Sequence, residues 1–231
     1  MRTLEREWDR RVEKWHSHVT SGAAFGQVLD QLICLSSPKP TDTCVDLGAG
    51  TGFVTTALAP LVSSVLAVDI SASMSASLAG QAARDGLANV SAEVHDLREF
   101  SLPPASVDLV VSSYALHHLV DPDKRALVAR AAGWLRPGGR LVIADMMFGR
   151  GASQRDRDIL RQKVVALAAK GPGGWWRIAK NLTRYGLRVG QEHPAPPEFW
   201  LRALRDAGLV AVGFQPVVAE AGLVAGWQAA H

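Results

Sequence analysis

Short apolar runs alternate with longer segments of helical periodicity along most of the chain. The last two apolar runs are separated by only a few residues, as in an antiparallel hairpin. This alternation predicts an α/β fold with a doubly wound, mostly parallel seven-stranded sheet. The seven predicted strands cover residues 44–47, 65–70, 90–95, 107–112, 140–146, 209–216 and 223–228.

Two segments with helical periodicity precede the first predicted strand. Residues 3–19 carry apolar side chains on one side and mostly Arg and Glu on the other, which is typical of an amphipathic helix. A second helix is predicted over residues 23–35, with Ser21 as its N-cap and a proline-rich stretch beyond its end. We expect residues 1–40 to form a helical cover on a single domain that spans residues 1–231.

The composition is that of a globular protein. The chain has 231 residues, of which 48% are hydrophobic and 20% charged, and a formal net charge of +3. No apolar run approaches the ~18 residues that a membrane span needs, and the charged start does not resemble a signal peptide. Cys34 and Cys44 lack the spacing of a redox or metal motif and are interpreted as core residues. These features predict a cytoplasmic protein.

A glycine-rich turn follows the first predicted strand. Asp46 precedes glycines at positions 48, 50 and 52, after which a helical pattern begins. Glycine is required where the backbone adopts a positive φ or closely approaches a ligand. A dinucleotide-binding G-x-G-x-x-G turn would have its third glycine at position 53, where this chain has Phe53. The pattern predicts a strand–turn–helix unit whose helix offers unpaired N–H groups to a ligand.

The sequence Asp-x-Gly-x-Gly-x-Gly at 46–52 resembles the nucleoside-binding turn of class I S-adenosylmethionine-dependent methyltransferases. The resemblance covers roughly residues 40–148 and 195–231. It implies S-adenosylmethionine as cofactor and S-adenosylhomocysteine as product. The residues that it assigns to the cofactor are Asp46, Gly48, Ala49, Gly50, Gly52, Asp69, Ile70, Met74, Asp96, Leu97, Ser112 and Ser113.

Two acids at predicted strand ends carry most of this assignment. The resemblance implies that Asp69 accepts both ribose hydroxyls, while Ile70 and Met74 flank the adenine. A helix N-cap from Asp69 or from Ser71 is an alternative that is compatible with this role. By the same resemblance, Asp96 accepts from the adenine amino group, and the next backbone N–H faces the ring.

The fourth predicted strand continues into the sequence Tyr-Ala-Leu-His-His-Leu at 114–119. This segment resembles the small-molecule branch of the family and lacks the Asn-Pro-Pro-Tyr type of motif that methylases of nucleobase amines carry. Tyr114 and His117 are spaced one helical turn apart, and we expect both to face the cleft as catalytic candidates. A purely structural role for His117 stays equally open. His118 is interpreted as a buried, hydrogen-bonded structural histidine.

Two further segments are interpreted from their composition. The Pro-Gly-Gly sequence at 137–139 is expected to end a helix before the fifth strand. Residues 149–195 form a long insertion; its part from 149 to 190 carries ten Lys or Arg against two Asp, a local charge of +8. Within it, residues 175–188 place apolar and basic side chains on opposite helical arcs. They predict either a helix with a solvated basic face or a lid over the acceptor, which contacts an anionic membrane weakly.

Three functions are consistent with these patterns. The leading hypothesis is a methyltransferase that acts on a small molecule such as a natural product, quinone or lipid-like compound, with oxygen favoured over carbon or nitrogen as the methylated atom. The basic insertion also suggests a nucleic-acid methyltransferase, although no RNA-binding module is recognisable and no stable nucleic-acid partner is expected. The third is a protein that binds the cofactor without transferring methyl, because a fold does not fix a reaction. No metal-ligand spacing is present, and the oligomeric state stays open.

Overall fold

The computed structural model describes residues 23–149, 154–168, 192–218 and 220–230. Strands and helices alternate over these residues in the predicted order. The helices are α1 (Ala23–Ser36), α2 (Phe53–Leu58), α3 (Ala72–Arg84), α4 (Asp121–Trp134), α5 (Gln154–Ala168) and α6 (Pro197–Asp206). The strands are β1 (Thr43–Leu47), β2 (Ser64–Asp69), β3 (Val90–Val94), β4 (Val107–Ser113), β5 (Leu135–Met146), β6 (Val210–Pro216) and β7 (Ala221–Trp227).

The seven strands form one sheet in the order β3-β2-β1-β4-β5-β7-β6. The neighbours from β3 to β5 pair in parallel, whereas β7 runs antiparallel to both β5 and β6. The predicted fold class and the predicted terminal hairpin are therefore confirmed. The strand order reverses between β1 and β4, and in open α/β sheets ligands bind in the crevice at the carboxyl ends of such strands.

Helices cover both faces of this sheet. On one face, α1 and α2 bury Val28, Leu32 and Leu58 against the central strands. On the other face, α4 and α6 bury Leu127 and Trp200. Because β4 and β5 are covered on both sides, residues 109–112 of β4 and 139–145 of β5 are buried without a break. The two layers fix the strand ends, which carry the polar side chains of interest.

Two local predictions about capping and strand boundaries meet different outcomes. Ser71 caps α3, since its side chain accepts from the N–H of Met74 at 3.2 Å. The Pro-Gly-Gly sequence lies within β5 and not before it, because β5 starts at Leu135, directly after α4. Leu135 pairs with Val107, and an irregularity in register accommodates the extra residues before pairing resumes at Arg140. The expected boundary at 140 is therefore wrong by five residues.

A buried ion pair joins the sheet to the end of α1. Arg140 is 5% exposed, and its Nη2 donates to Asp42 Oδ2 at 2.6 Å. The same guanidinium donates to the carbonyls of Ser36 and Ser37. These carbonyls lie at and just beyond the end of α1, where a helix leaves acceptors without internal partners. Arg140 therefore fixes the first described helix to the amino-terminal edge of the sheet.

Several predictions lie outside the described residues. These are the helix at 3–19, the Ser21 cap, and the two-faced segment at 175–188. Helix α5 lies in the first part of the predicted insertion. Residues 192–196 lead into α6. Among the described helices, none is both long and apolar enough to cross a membrane.

Candidate functional site

The glycine turn connects β1 to α2 with three glycines at positive φ. The φ angles are +74° at Gly48, +53° at Gly50 and +91° at Gly52, values that other residues adopt only at a cost. A Cβ atom on Gly48 would lie 2.2 Å from the Cβ of Ala115. The turn therefore contacts the segment that follows β4, and position 48 has no room for a side chain.

Asp69 ends β2 and lies against this turn. Its Oδ2 accepts from the N–H of Gly50 at 2.8 Å, and its Oδ1 accepts from the N–H of Ser71 at 2.9 Å. The carboxylate is half-buried. The structure thus brings together two features that the sequence placed 19 residues apart, and it holds an acid at the carboxyl edge of the sheet beside the turn.

Asp46 lies in β1 and is almost completely buried. Thr55 of α2 donates its hydroxyl to Asp46 Oδ2 at 2.6 Å. Burial, and then the nearby charge of Asp69, raise the pKa of Asp46 to about 7, although the Thr55 hydrogen bond opposes the rise. This hydrogen bond joins β1 to α2, the two elements that the glycine turn connects.

Asp96 and Leu97 follow β3 on the adjoining loop. Arg98 donates to the Asp96 carboxylate from its backbone N–H and from its guanidinium. These hydrogen bonds hold the pKa of Asp96 below its ordinary value. Leu97 is buried, and its Cδ1 lies 3.9 Å from where a Cβ on Gly48 would be. This loop therefore borders the glycine turn, as the resemblance implies.

The remaining residues assigned to the cofactor occupy different surroundings. Ile70 and Ala49 are half-buried at the crevice edge, whereas Met74 is 2% exposed. Ser112 is buried and donates its hydroxyl to the Leu47 carbonyl at 2.7 Å, so its Oγ joins β4 to β1. Ser113 is half-buried at the end of β4.

Tyr114 does not begin a helical turn, contrary to the spacing argument. Its φ is +49°, and its N–H donates to the Ala144 carbonyl at 2.9 Å. The 3-10 turn that follows spans Leu116–His118. The ring packs against Phe25 of α1 with centroids 4.9 Å apart. Burial, and then the charges of Glu220 and Asp145, raise the pKa of Tyr114 to about 12.

His117 is held at two points by Asp145, the penultimate residue of β5. The Nδ1 atom of His117 lies 2.6 Å from Asp145 Oδ1, and the His117 N–H donates to Asp145 Oδ2 at 3.0 Å. Asp145 is fully buried. Together these contacts fix both the backbone and the ring of His117.

The two adjacent histidines differ in burial, and His118 is the less buried of the two. His117 is 5% exposed, whereas His118 is only half-buried. Their rings lie 4.1 Å apart. The expectation of a buried His118 is therefore wrong, because the 3-10 turn directs the first histidine of the pair toward the acid on β5.

A buried lysine connects this histidine to the chain that returns from the insertion. Lys124 is completely buried, and its Nζ donates to Asp121 Oδ1 at 2.8 Å and to the His193 carbonyl. The N–H of His193 in turn donates to the His117 carbonyl at 2.6 Å. The last residues of the insertion therefore lie directly against His117.

Sequence reasoning missed Asp145 and Lys124. An acid near the carboxyl end of a predicted strand was a usable signal for Asp145, since β4 and β5 are neighbours in this fold. Lys124 gave no signal, because a lysine in an amphipathic helix is expected on the solvated face. Within the described ranges, no group of three or more His, Cys, Asp or Glu is arranged to hold a metal ion.

Comparisons with known proteins identify the family of this chain. A family model described as a methyltransferase domain matches residues 44–139. An uncharacterized methyltransferase of Geobacillus thermodenitrificans is 32% identical over 147 residues, 62% of this chain and 61% of that protein. Another from Geobacillus kaustophilus is 31% identical over 169 residues, 71% of this chain and 70% of that protein. The chain thus spans less than two thirds of the first relative and slightly more of the second.

A solved structure shares the fold. An S-adenosylmethionine-dependent methyltransferase from Aquifex aeolicus superposes with a TM-score of 0.64 at 17% identity, over 95% of this chain and 97% of that one. This likeness concerns the fold alone, but the sequence relatives and the glycine turn add to it independently. The chain belongs to the class I S-adenosylmethionine-dependent methyltransferases.

Proposed function

We propose that this protein transfers a methyl group from S-adenosylmethionine to a small-molecule acceptor, and that the acceptor atom is a hydroxyl oxygen. The observation that carries the proposal is the two-point hold of Asp145 on His117 at the carboxyl edge of the sheet. A hydroxyl must lose its proton to accept methyl, and an oriented imidazole is the commonest group for that task. The pair lies next to the switch point between β1 and β4.

The residues at this edge fit the cofactor. A nucleoside presents hydroxyl and amino donors, and Asp69 and Asp96 supply carboxylate acceptors for them. Gly48 has no room for a Cβ because Ala115 lies against it, so a glycine at this position lets the turn pack on the segment after β4. Under this proposal Asp69 holds the ribose and Asp96 the adenine, while Asp46 and Ser112 support the turn and the strands behind it.

The mechanism asks little of the protein beyond alignment and proton transfer. When bound, S-adenosylmethionine supplies an electrophilic methyl group whose leaving group is a neutral thioether, so no general acid is needed. His117 Nδ1 is occupied by Asp145, which leaves Nε2 to take the acceptor proton. The buried carboxylate then stabilises the imidazolium that forms.

Tyr114 has a different role in this proposal. Because its pKa is raised to about 12, its hydroxyl keeps the proton at neutral pH. It therefore acts as a hydrogen-bond donor that positions the acceptor and not as a base. Its left-handed backbone is a strained conformation for a bulky residue, which is consistent with a side chain placed for function.

The primary test measures S-adenosylhomocysteine formation with a panel of hydroxyl, amine and carbon acceptors. If His117 is the base, His117→Gln lowers turnover by about 10²–10⁴-fold with cofactor affinity little changed. Asp145→Asn should lower turnover by a smaller factor and shift the pH profile of turnover. The control Asp85→Asn, at the exposed end of α3, should change neither turnover nor its pH profile. Intact turnover in His117→Gln would demote the histidine to a packing role.

The other two functions have specific tests. In the nucleic-acid hypothesis, binding should weaken steeply with salt as phosphate contacts are lost. Arg155 is one of the ten basic residues that prompted this hypothesis. Its guanidinium donates to the carbonyls of Met147 and Ala221 within the fold, which counts against a phosphate contact for this residue. Absence of S-adenosylhomocysteine across all acceptors, with cofactor binding intact, would favour the non-methylating protein.

The proposed lid at 175–188 also stays open to test. If its basic arc contacts an anionic membrane, wild-type protein should co-sediment with anionic vesicles at low salt and less at high salt. Removing the charges of Arg177, Lys180, Arg184 and Arg188 should abolish that difference. Equal sedimentation of the two proteins would refute the membrane contact. The lid itself would fail if deleting the segment left the acceptor KM unchanged.

A further inference from the structure

The Asp96 carboxylate is held by an unusually complete set of donors from one neighbour. The Arg98 N–H donates to Oδ1 at 2.9 Å, and Arg98 Nε lies 3.0 Å from both oxygens. Arg98 Nη2 donates to Oδ2. The Asp96 side chain is 6% exposed, while that of Arg98 is 43% exposed. An exposed cation therefore fixes a nearly buried acid in position.

These contacts fill most, but not all, of the acceptor capacity of the carboxylate. Two carboxylate oxygens offer about four lone-pair positions. A guanidinium fork occupies one position on each oxygen, and the backbone N–H takes a second on Oδ1. Nε is shared between the two oxygens, so the three N–H donors of Arg98 leave the carboxylate with capacity for one further donor. The carboxylate can neither rotate freely nor offer a proton while this arrangement holds.

We infer that Arg98 is a specificity-determining residue of the base subsite: by fixing Asp96 as an ionised acceptor, it makes the site select a 6-aminopurine over a 6-oxopurine. The inference rests on the placement of the adenine at Asp96 in the proposed function. It adds a role for a residue that does not itself contact the base.

The physical basis is the opposite polarity of the two purine edges. The 6-amino group of adenine donates to a carboxylate, whereas the 6-oxo group of hypoxanthine presents lone pairs to it. A site that hydrogen-bonds an N–H rejects the analogue that lacks it, since buried polar groups are left unpaired. A loosened carboxyl group would escape this penalty by turning away, or by donating its own O–H.

Arg98 prevents the Asp96 carboxyl group both from turning away and from donating a proton. Its side-chain hydrogen bonds are the largest influence lowering the pKa of Asp96, and burial acts in the opposite direction. Loss of the guanidinium would therefore remove the main influence that keeps this carboxyl group ionised. Asp123 and Glu99 are among the charged residues around the pair, and both raise the pKa of Arg98.

Arg130 of α4 provides a matched contrast on the same loop. Its Nη2 donates to the Leu97 carbonyl at 2.7 Å and its Nε to the Phe100 carbonyl at 3.2 Å. Both arginines therefore stabilise the loop, but only Arg98 contacts the carboxylate. Loss of Arg130 should loosen the loop for any purine, whereas loss of Arg98 should change the preference between purines.

The experiment is isothermal titration of the full chain with S-adenosylhomocysteine and with its S-inosyl analogue, which carries a 6-oxo group. Wild type should prefer the adenosyl ligand by about 10–100-fold, the value of one hydrogen bond to a charged group. Arg98→Gln should reduce this preference about 3–10-fold, and Arg98→Lys, which keeps the charge without the fork, should fall between. Arg130→Gln should weaken both ligands and leave their ratio within twofold.

Asp96→Asn and Asp85→Asn complete the set. Asp96→Asn should reduce the preference at least as far as Arg98→Gln, and Asp85→Asn should leave it unchanged. Thermal unfolding of each variant checks that the fold is intact. A wild type that binds neither ligand would overturn the proposed function itself.

The remaining outcomes separate the placement of the base from the role of Arg98. An unchanged ratio in Asp96→Asn would show that the base lies elsewhere and would overturn both. A changed ratio in Asp96→Asn with an unchanged one in Arg98→Gln would overturn the inference alone. Tighter adenosyl binding by Arg98→Gln would also overturn it, because Arg98 would then be a competitor of the base.

Discussion

Two aspartates at opposite ends of β1 are equally buried and are held in opposite ways. Asp42 precedes the strand at the amino-terminal edge of the sheet and pairs with Arg140. Asp46 lies near the carboxyl end, where the Thr55 hydroxyl donates to it and the charge of Asp69 is nearby. The first acid has a cation that compensates its burial. The second meets a neutral donor and another acid, so burial raises its pKa to about 7.

The comparison separates stability from function along a single strand. At the amino-terminal edge, ion pairs join secondary-structure elements, as Arg136 with Asp108 also shows. At the carboxyl edge, Asp46 accepts from the Thr55 hydroxyl of α2, and Asp69 accepts from the Gly50 N–H of the glycine turn. Under the proposed function this edge serves the cofactor, whereas the amino-terminal edge serves stability.

The largest predicted effect breaks the compensated end. Arg140→Met leaves Asp42 buried without its cation, and loss of one partner of a buried pair costs about 3–5 kcal/mol. At roughly 2–4 °C per kcal/mol for a chain of this size, Tm should fall by about 6–20 °C. Arg136→Gln, whose side chain is 43% exposed, should cost less than about 1 kcal/mol. Equal losses in the two variants would contradict the distinction between the pairs.

Substitution of Asp46 and of Asp42 should change stability in opposite directions, and for Asp46 the reason is its raised pKa. The pKa of Asp46 is about 7 in the folded protein, against an ordinary value of 3.8, so between these values the folded protein keeps a proton that the unfolded chain has lost. Stability therefore falls as pH rises through this window and levels off above it. Each unit between the two pKa values corresponds to about 1.4 kcal/mol.

Asp46→Asn removes this pH dependence. The wild-type Tm should fall from pH 5 to pH 8 through this group, whereas the variant should not show that fall. The Tm of the variant relative to wild type should therefore rise between these two pH values. Asp42→Asn should instead lose stability at both values, because Arg140 is then left without its anion. A wild-type Tm that is as high at pH 8 as at pH 5, with Asp46→Asn unchanged, would show that Asp46 is not the controlling group.

The smallest predicted effect concerns the crevice end of β1. Ser112→Ala removes the hydroxyl that donates to the Leu47 carbonyl, and a net intramolecular hydrogen bond contributes about 0.5–1.5 kcal/mol. A fall in Tm of a few degrees is expected, with binding of S-adenosylhomocysteine nearly unchanged. Loss of binding without loss of Tm would assign Ser112 to the cofactor directly, as the sequence resemblance did.

The predictions that succeeded depended on local patterns. The strands were visible as apolar runs, and the glycine turn as a spacing of residues at 48, 50 and 52. Asp69 was singled out through the resemblance, as an acid at the end of the second strand; the structure holds it against that turn, and its cofactor role stays a prediction. Each of these signals is carried by a few consecutive residues, so no knowledge of distant pairing was needed.

The failures depended on pairing between distant residues. Asp145 meets His117 because the β4–β5 register pairs Ser113 with Ala144, and the sequence alone does not give that register. Tyr114, whose φ is positive, likewise donates its N–H to the carbonyl of Ala144 on the neighbouring strand. Lys124 is buried because it meets a carbonyl 69 residues away. Such contacts appear only once the whole sheet has formed.

The two roots of the insertion have a consequence for how the protein can be varied. The chain leaves β5 after Met146 and returns through His193; Asp145, one residue before that exit, and His193 both hydrogen-bond to His117. The insertion at 149–195 is therefore an exchangeable segment, or cassette, whose two junctions with the sheet lie close to one histidine. A cassette of different length or sequence that preserves these two junctions would leave the cofactor turn untouched. We expect chimaeras that exchange it to alter the range of acceptors while keeping the histidine in place.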